Sequence, residues 1–279
     1  MIAVLLFFGG ILFLFTYTPA LSAKHGQLQS RLYLADGMDQ GLIVGFGGGS
    51  GGNDWERDYM KEKREQLHQR GFAMLAIGYF KTGGDTPENL DRIALDAIAD
   101  TIIQIANRHT QINPERIALI GGSKGAELIL NLASRDSRFK AVIALSTSHV
   151  SFPATTITAN TSSWSFRGEE VPYVPASFRI LGPTLKGDLF SAFSIMLEDK
   201  VAVKQAEIQV EKIAGPILLL SATDDEAWPA TKMSNRIMER LQENNFSHSY
   251  EHIVLTGGHT APLEHFEEVY RFLDAAFSD

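Results

Sequence analysis

Cysteine is absent from all 279 residues. Its absence excludes a disulfide framework, a thiolate nucleophile and a cysteine-based zinc site, and it leaves the redox compartment open. Positive charge is also scarce: 25 Lys and Arg face 33 Asp and Glu, the net charge is −8, and no basic run occurs. Neutralising phosphates needs clustered cations, so no nucleic-acid partner is expected. The sequence has no internal repeat and no linker that would divide it in two. Its 44% apolar and 21% charged residues exclude a disordered chain, a collagen-like repeat and a polytopic membrane protein.

One long hydrophobic run is present. Met1 to Phe15 (MIAVLLFFGGILFLF) has no polar side chain, and the first charged side chain is Lys24. Residues 1–23 are expected to be either a signal peptide, cleaved within Thr18-Pro19-Ala20-Leu21-Ser22-Ala23, or a retained membrane anchor, unless the start codon is misassigned. The missing basic n-region speaks against the signal. With an anchor, Lys24 and Arg31 would hold the globular part in the cytoplasm. The expected location is therefore exported, periplasmic or secreted, or membrane-anchored through this segment.

From Gln27 onward, short apolar runs alternate with amphipathic stretches, the pattern of a mostly parallel sheet with helices on both faces. Strands are expected at Arg31–Leu34, Leu42–Phe46, Ala73–Tyr79, Ile117–Ile120, Ala141–Leu145, Ile217–Ser221 and Ser249–Val254. Helices are expected at Trp55–Arg70, Leu90–Arg108, Gly125–Ser134, Ala230–Asn244 and Pro262–Phe277. In the second of these, Leu90, Ala94, Ile98, Ile102 and Ile105 form a core-facing stripe. Residues 24–279 thus read as one α/β domain. Residues 148–200 interrupt the alternation with a Ser-, Thr- and Pro-rich stretch carrying Trp164, Phe166 and Tyr173. That length suits a lid or substrate wall, with Trp164 and Tyr173 as substrate-binding candidates, or a surface excursion without a role.

The sharpest motif is Gly121-Gly122-Ser123-Lys124-Gly125, entered from an apolar strand and followed by a helical run. A strand-to-helix turn this tight needs glycines beside a serine held in a strained conformation. A serine hydroxyl needs a histidine base, and the base needs a carboxylate to fix its tautomer. Both follow in the order expected of such a site. Asp224 and Asp225 end the strand from Ile217, and His259 lies in a glycine loop after the strand from Ser249. Asp225, four residues before Pro229, is the first choice of acid and Asp224 the alternative, with helix capping as the other use of Asp224. His68, His109, His248, His252 and His265 lie on or beside helices and strands. An oxyanion hole requires two N–H groups: Lys124 supplies one, and Gly48 or Gly49 in the Gly47–Gly52 loop supplies the other. That loop lacks the G-K-[ST] ending of a phosphate-binding loop.

Several segments resemble a known family in the right order: Arg70–Ala76 through Tyr79-Phe80, the elbow Gly121–Leu128, Trp164–Pro175 and Asp224-Asp225-Glu226-Ala227-Trp228-Pro229. They are similar to the catalytic, carboxyl-terminal domain of acyl-CoA thioesterases and bile acid-CoA:amino acid N-acyltransferases. The resemblance implies an α/β-hydrolase fold, with the family's triad on Ser123, Asp225 and His259. It also implies acyl-CoA as substrate and no cofactor or metal. The family's amino-acid transferases use cysteine, whereas an oxoester on Ser123 is more readily left to water.

Three kinds of activity follow as expectations. The first is hydrolysis of a small-molecule acyl thioester through an acyl-serine intermediate. The second is cleavage of an exported or non-CoA ester by the same machinery, with acyl transfer to an amine as a further variant. The third is a non-catalytic ligand-binding fold. Lys124 could attract a CoA phosphate or pair with Glu127 three residues on.

Overall fold

The computed structural model describes residues 16–156 and 158–277, together with Gly10 and Phe13. The strands are β1 (Gln29–Tyr33), β2 (Gln40–Phe46), β3 (Phe72–Gly78), β4 (Ile93–Ala94), β5 (Ile112–Gly122), β6 (Ala141–Leu145), β7 (Trp164–Phe166), β8 (Glu169–Glu170), β9 (Ile217–Ala222) and β10 (Tyr250–Leu255). The helices are α1 (Lys61–Gln69), α2 (Leu95–Arg108), α3 (Lys124–Ala133), α4 (Leu181–Leu185), α5 (Leu189–Met196), α6 (Lys200–Ala206), α7 (Ala230–Glu243) and α8 (Glu267–Ala276).

Seven strands form one sheet in the order β1-β3-β2-β5-β6-β9-β10, in which only β1 runs antiparallel to its neighbour. The continuous apolar runs are explained by burial on both sides. Leu42, Val44, Leu75, Leu119, Val142 and Leu219 point to the face covered by α2, α3 and α7. Ile43, Met74, Ile120, Ile143 and Leu220 point to the face covered by α1 and α8. Because the strands are parallel, the carboxyl ends of β2, β5, β6, β9 and β10 open at one edge, where the connecting loops can meet.

Three expected helices are shorter than their periodicity suggested. The first begins at Lys61, preceded by 3-10 turns at Asp54–Glu56 and Asp58–Met60. Arg57 between them is extended at ψ 156°, and the Arg64 guanidinium caps the carbonyls of Trp55 and Arg57. The second begins at Leu95, because Ile93–Ala94 is spent as a strand on Trp164–Ser165. Leu90 and Ala94 therefore lie ahead of the helix, and Leu95, Ile98, Ala99, Ile102 and Ala106 make its buried face. The last helix likewise starts only at Glu267, which leaves His265 outside it.

Residues 148–200 contain β7, β8, α4 and α5. They have a core of their own in which Val150, Phe152, Val174, Met196 and Leu197 pack with Trp228. The hydrophobic run Met1–Phe15 falls outside the described residues apart from Gly10 and Phe13. Among the described residues no helix is long and apolar enough to cross a membrane. The stretch expected to hold a cleavage site lies on the domain: Arg92 donates to the Pro19 carbonyl at 2.7 Å and Asn160 to the Thr18 hydroxyl at 3.2 Å.

His149, just beyond β6, is buried at 7% exposure with Nδ1 unpartnered. Burial, reinforced by Arg236, Lys200 and Lys232, lowers its pKa to about 4. The folded state therefore binds fewer protons than the unfolded chain below pH 6.5. Stability that His149 leaves intact above that pH is lost progressively down to pH 4, by up to about 3 kcal/mol. His149→Gln should flatten this part of the stability curve, measured by urea unfolding at a series of pH values.

Candidate active site

Ser123 stands alone between β5 and α3 with φ 55° and ψ −121°. That strained conformation turns the residue out of both elements, and the surrounding glycines permit it. A Cβ on Gly121 would lie 2.4 Å from the Gly125 carbonyl, and one on Gly125 would lie 2.4 Å from the Gly47 carbonyl. These contacts are backbone on backbone, so no side chain can yield. They press the elbow against the loop after β2. On its other side the Ser123 N–H donates to the Leu145 carbonyl at the end of β6, at 2.9 Å.

The loops after β9 and β10 bring the acid and the imidazole together across 34 residues of sequence. His259 Nδ1 lies 2.9 Å and 2.8 Å from the two carboxylate oxygens of Asp225. Asp225 is buried, and its Oδ1 also accepts the N–H groups of Ala227 at 2.9 Å and Trp228 at 3.1 Å, which fix the carboxylate in place. Asp224 is exposed and accepts from the Thr223 hydroxyl, so it does not share this role. With Nδ1–H donated to Asp225, the lone pair of Nε2 is left for a proton.

Ser123 and His259 line one cavity of about 490 Å³, bounded by the Gly47–Gly49 backbone, Trp55, Met60, Pro262 and Leu263, with Arg57 and Tyr59 among its walls. Lys124 is the first residue of α3, where an N–H has no intrahelical acceptor. Gly48 backs directly onto Ser123: a Cβ there would be 3.3 Å from that of the serine, whereas Gly49 faces the Lys124 side chain. The Tyr79 hydroxyl donates to the Gly47 carbonyl at 2.8 Å and anchors this loop.

A strained serine is backed by glycine loops and lies in one cavity with an imidazole already paired to a carboxylate. Residues 100–264 match the family described as BAAT / Acyl-CoA thioester hydrolase C terminal. The chain belongs to this family. It is 26% identical over 223 residues to Acyl-coenzyme A thioesterase 1 of Mus musculus and 28% over 234 residues to Acyl-coenzyme A thioesterase 6 of the same organism. Each match covers 78% of this chain and 48% of the relative, so the chain spans about half the length of those proteins. Among solved structures, a puromycin-hydrolyzing peptidase of Mycobacterium tuberculosis superposes with a TM-score of 0.61 at 15% identity, over 90% of this chain and 37% of that one. The α/β hydrolase GrgF from Penicillium sp. sh18 superposes at 0.59 with 14% identity, over 90% and 95% respectively. The fold is that of the α/β hydrolases.

In this member of the family, two side chains expected at the substrate lie elsewhere. Trp164 is fully buried, donates from Nε1 to Glu127 Oε1 at 2.7 Å and packs on Tyr79. Tyr173 is half-buried and is influenced by Glu170 and Arg92. Neither lines the Ser123 cavity. Lys124 does not reach for a phosphate either. Its Nζ donates to both Glu127 oxygens at 2.8 Å, and both residues are buried. Burial lowers the ammonium pKa and raises that of the carboxyl, and each charge opposes the shift of the other. Glu127 also accepts the Phe152 N–H at 3.0 Å, so one carboxylate ties the elbow to the insertion.

Three further residues support the site: Ser146, which the sequence reading did not single out, and Trp228 and Glu226, which it placed in the motif around the acid without a role of their own. Ser146, with φ 47°, follows β6 and donates from Oγ to the His259 carbonyl at 2.7 Å. Trp228 Nε1 donates to the Ser146 carbonyl at 2.9 Å. Glu226 accepts the His259 N–H at 2.9 Å, which holds its carboxyl below the ordinary range. The position of Ser146, one residue past an apolar strand, was the usable hint.

Gly121→Ala should cost about 2–3 kcal/mol, as overpacking against rigid backbone does, while Gly122→Ala, whose Cβ would meet nothing, should stay within about 0.5 kcal/mol, both read by urea unfolding. Glu127→Gln leaves a buried ammonium without its anion and should cost about 3–5 kcal/mol. Adding Lys124→Met should recover part of that loss, which a double-mutant cycle measures.

Proposed function

We propose that this chain is a serine hydrolase of acyl thioesters, with acyl-CoA as the first substrate class. What carries the reading is the strained Ser123 opening into the same cavity as an imidazole whose other nitrogen is engaged by a buried carboxylate, in a member of this family. His259 Nε2 takes the proton of Ser123 Oγ as that oxygen attacks the thioester carbonyl. The oxyanion is held by the N–H of Lys124 and a backbone N–H of Gly48 or Gly49, and Asp225 stabilises the imidazolium. The thiolate leaves with the proton from His259. His259 then draws a proton from water as its oxygen attacks the acyl-serine carbonyl, and returns that proton to Ser123 Oγ as the acyl–Oγ bond breaks and the fatty acid leaves. No step calls on a metal or cofactor. The apolar walls at Trp55, Met60, Pro262 and Leu263 suit an acyl chain.

One observation favours a second reading, in which the same triad cleaves an ester without CoA. The cation lining the Ser123 cavity is Arg57, which is paired with Asp54 at 3.2 Å, and Lys124 is turned inward. A CoA headgroup would have little positive charge to meet there. Export through residues 1–23 would favour the ester and retention in the cytoplasm would favour acyl-CoA.

Thiol release from acyl-CoAs of graded length, with an activated ester alongside, tests both readings. Ser123→Ala and His259→Ala should each lower turnover by at least about 10³-fold, and Asp225→Asn by about 10³–10⁴-fold. A maximum at one acyl length supports the thioesterase. Ester cleavage with no thiol release would transfer the conclusion to the second reading, and inactivity on both would overturn the hydrolase.

A further inference from the structure

A second and larger cavity, about 740 Å³, lies against the far side of the β9–α7 loop, walled by the insertion and α6. It shares Asp225 with the triad but contains neither Ser123 nor His259. Its apolar part is built from Phe190, Leu197 and Val203, and Phe190 is 42% exposed although it is aromatic. Lys200 and Lys232 lie among its walls, both exposed. Lys200 Nζ donates only to the Leu197 carbonyl among the hydrogen bonds described, and neither lysine is in an ion pair of the described residues. Arg236 also lines the cavity but is neutralised by Glu207, Glu239 and Glu243. The buried imidazole of His149, its Nδ1 unpartnered, closes one wall.

An apolar channel with two uncompensated ammonium groups does not suit a polyanion, because Asp225 and Glu239 stand on the same walls and would repel one. It suits a single anionic head on a hydrocarbon tail. We propose that this cavity binds a medium- or long-chain carboxylate, with its tail along Phe190, Leu197 and Val203 and its head at Lys200 and Lys232, away from Asp225. The inference rests on the acyl-hydrolase reading only for the source of such a ligand, which that reaction would release as product. Since Asp225 lines this cavity and also holds His259 Nδ1, an occupied cavity would restrain the acid loop, and the product would slow its own formation.

The test is calorimetric titration of dodecanoate into the Ser123→Ala protein, in which no turnover can interfere. One-to-one binding is expected. It should weaken at least about tenfold in Lys200→Glu/Lys232→Glu, since both head contacts are reversed, and also in Phe190→Asp. Lys232→Met is the milder second variant if the double one fails to fold, and it too should weaken binding. Arg57→Glu, in the other cavity, should leave the affinity within twofold, and dodecyltrimethylammonium should not bind. No binding of dodecanoate, binding indifferent to the lysines, or binding abolished by Arg57→Glu would overturn the proposal. Turnover assays of the wild-type protein decide the hydrolase separately: an inactive protein that still binds dodecanoate at the lysines would sink the catalytic reading and leave this site standing.

Discussion

Three backbone segments meet without side chains between them, and the rest of the site depends on that contact. Gly121, Gly125 and Gly47 bring the end of β5, the start of α3 and the loop after β2 closer than any Cβ would allow. Two consequences follow from this one approach. Ser123 is forced into a conformation with positive φ that turns it out of both the strand and the helix, and the peptide groups of the glycine loop are brought beside it. Ser123 and the glycine loop are thus positioned by a single packing event rather than by separate interactions.

The remaining groups are assembled on the same sheet edge by loops that carry no regular structure of their own. Trp228 connects them. Its ring lies against His259 and Phe152, its backbone N–H holds Asp225, and its indole N–H holds Ser146, which in turn binds the carbonyl of His259. A residue that looked in the sequence like part of a motif around the acid is therefore also the core of the insertion. The buried Glu127 does the corresponding work on the nucleophile side, with Lys124, Phe152 and Trp164 as partners. Insertion and elbow are joined through two fully desolvated polar contacts, a costly arrangement that survives only when each partner is present.

The parallel sheet was legible because buried strands read as uninterrupted apolar runs, and the expected Ala141–Leu145 matches β6 residue for residue. Ser123, Asp225 and His259 were legible because each follows such a run and each is marked by glycine or proline. Trp164 and Tyr173 misled for a physical reason. An aromatic residue in a polar insertion has the same appearance whether its ring meets a ligand or a carboxylate inside the protein, and only the position of Glu127, 37 residues earlier, separates the two. The strand at Ile93–Ala94 was hidden in the same way, since two residues have no period and their pairing lies on Trp164–Ser165.

By itself, then, the sequence determined the α/β architecture, the chain order of the candidate residues Ser123, Asp225 and His259, and the glycine loop beside them, because these depend on local pattern and on turns that few residue types can make. Only the tertiary structure decided between Asp225 and Asp224, turned Lys124 inward to Glu127, gave Gly48 rather than Gly49 the place next to Ser123, and opened a second cavity behind the acid loop. Each of those outcomes depends on which groups meet across long stretches of chain, and adjacent residues of the same type carry no local signal that distinguishes them.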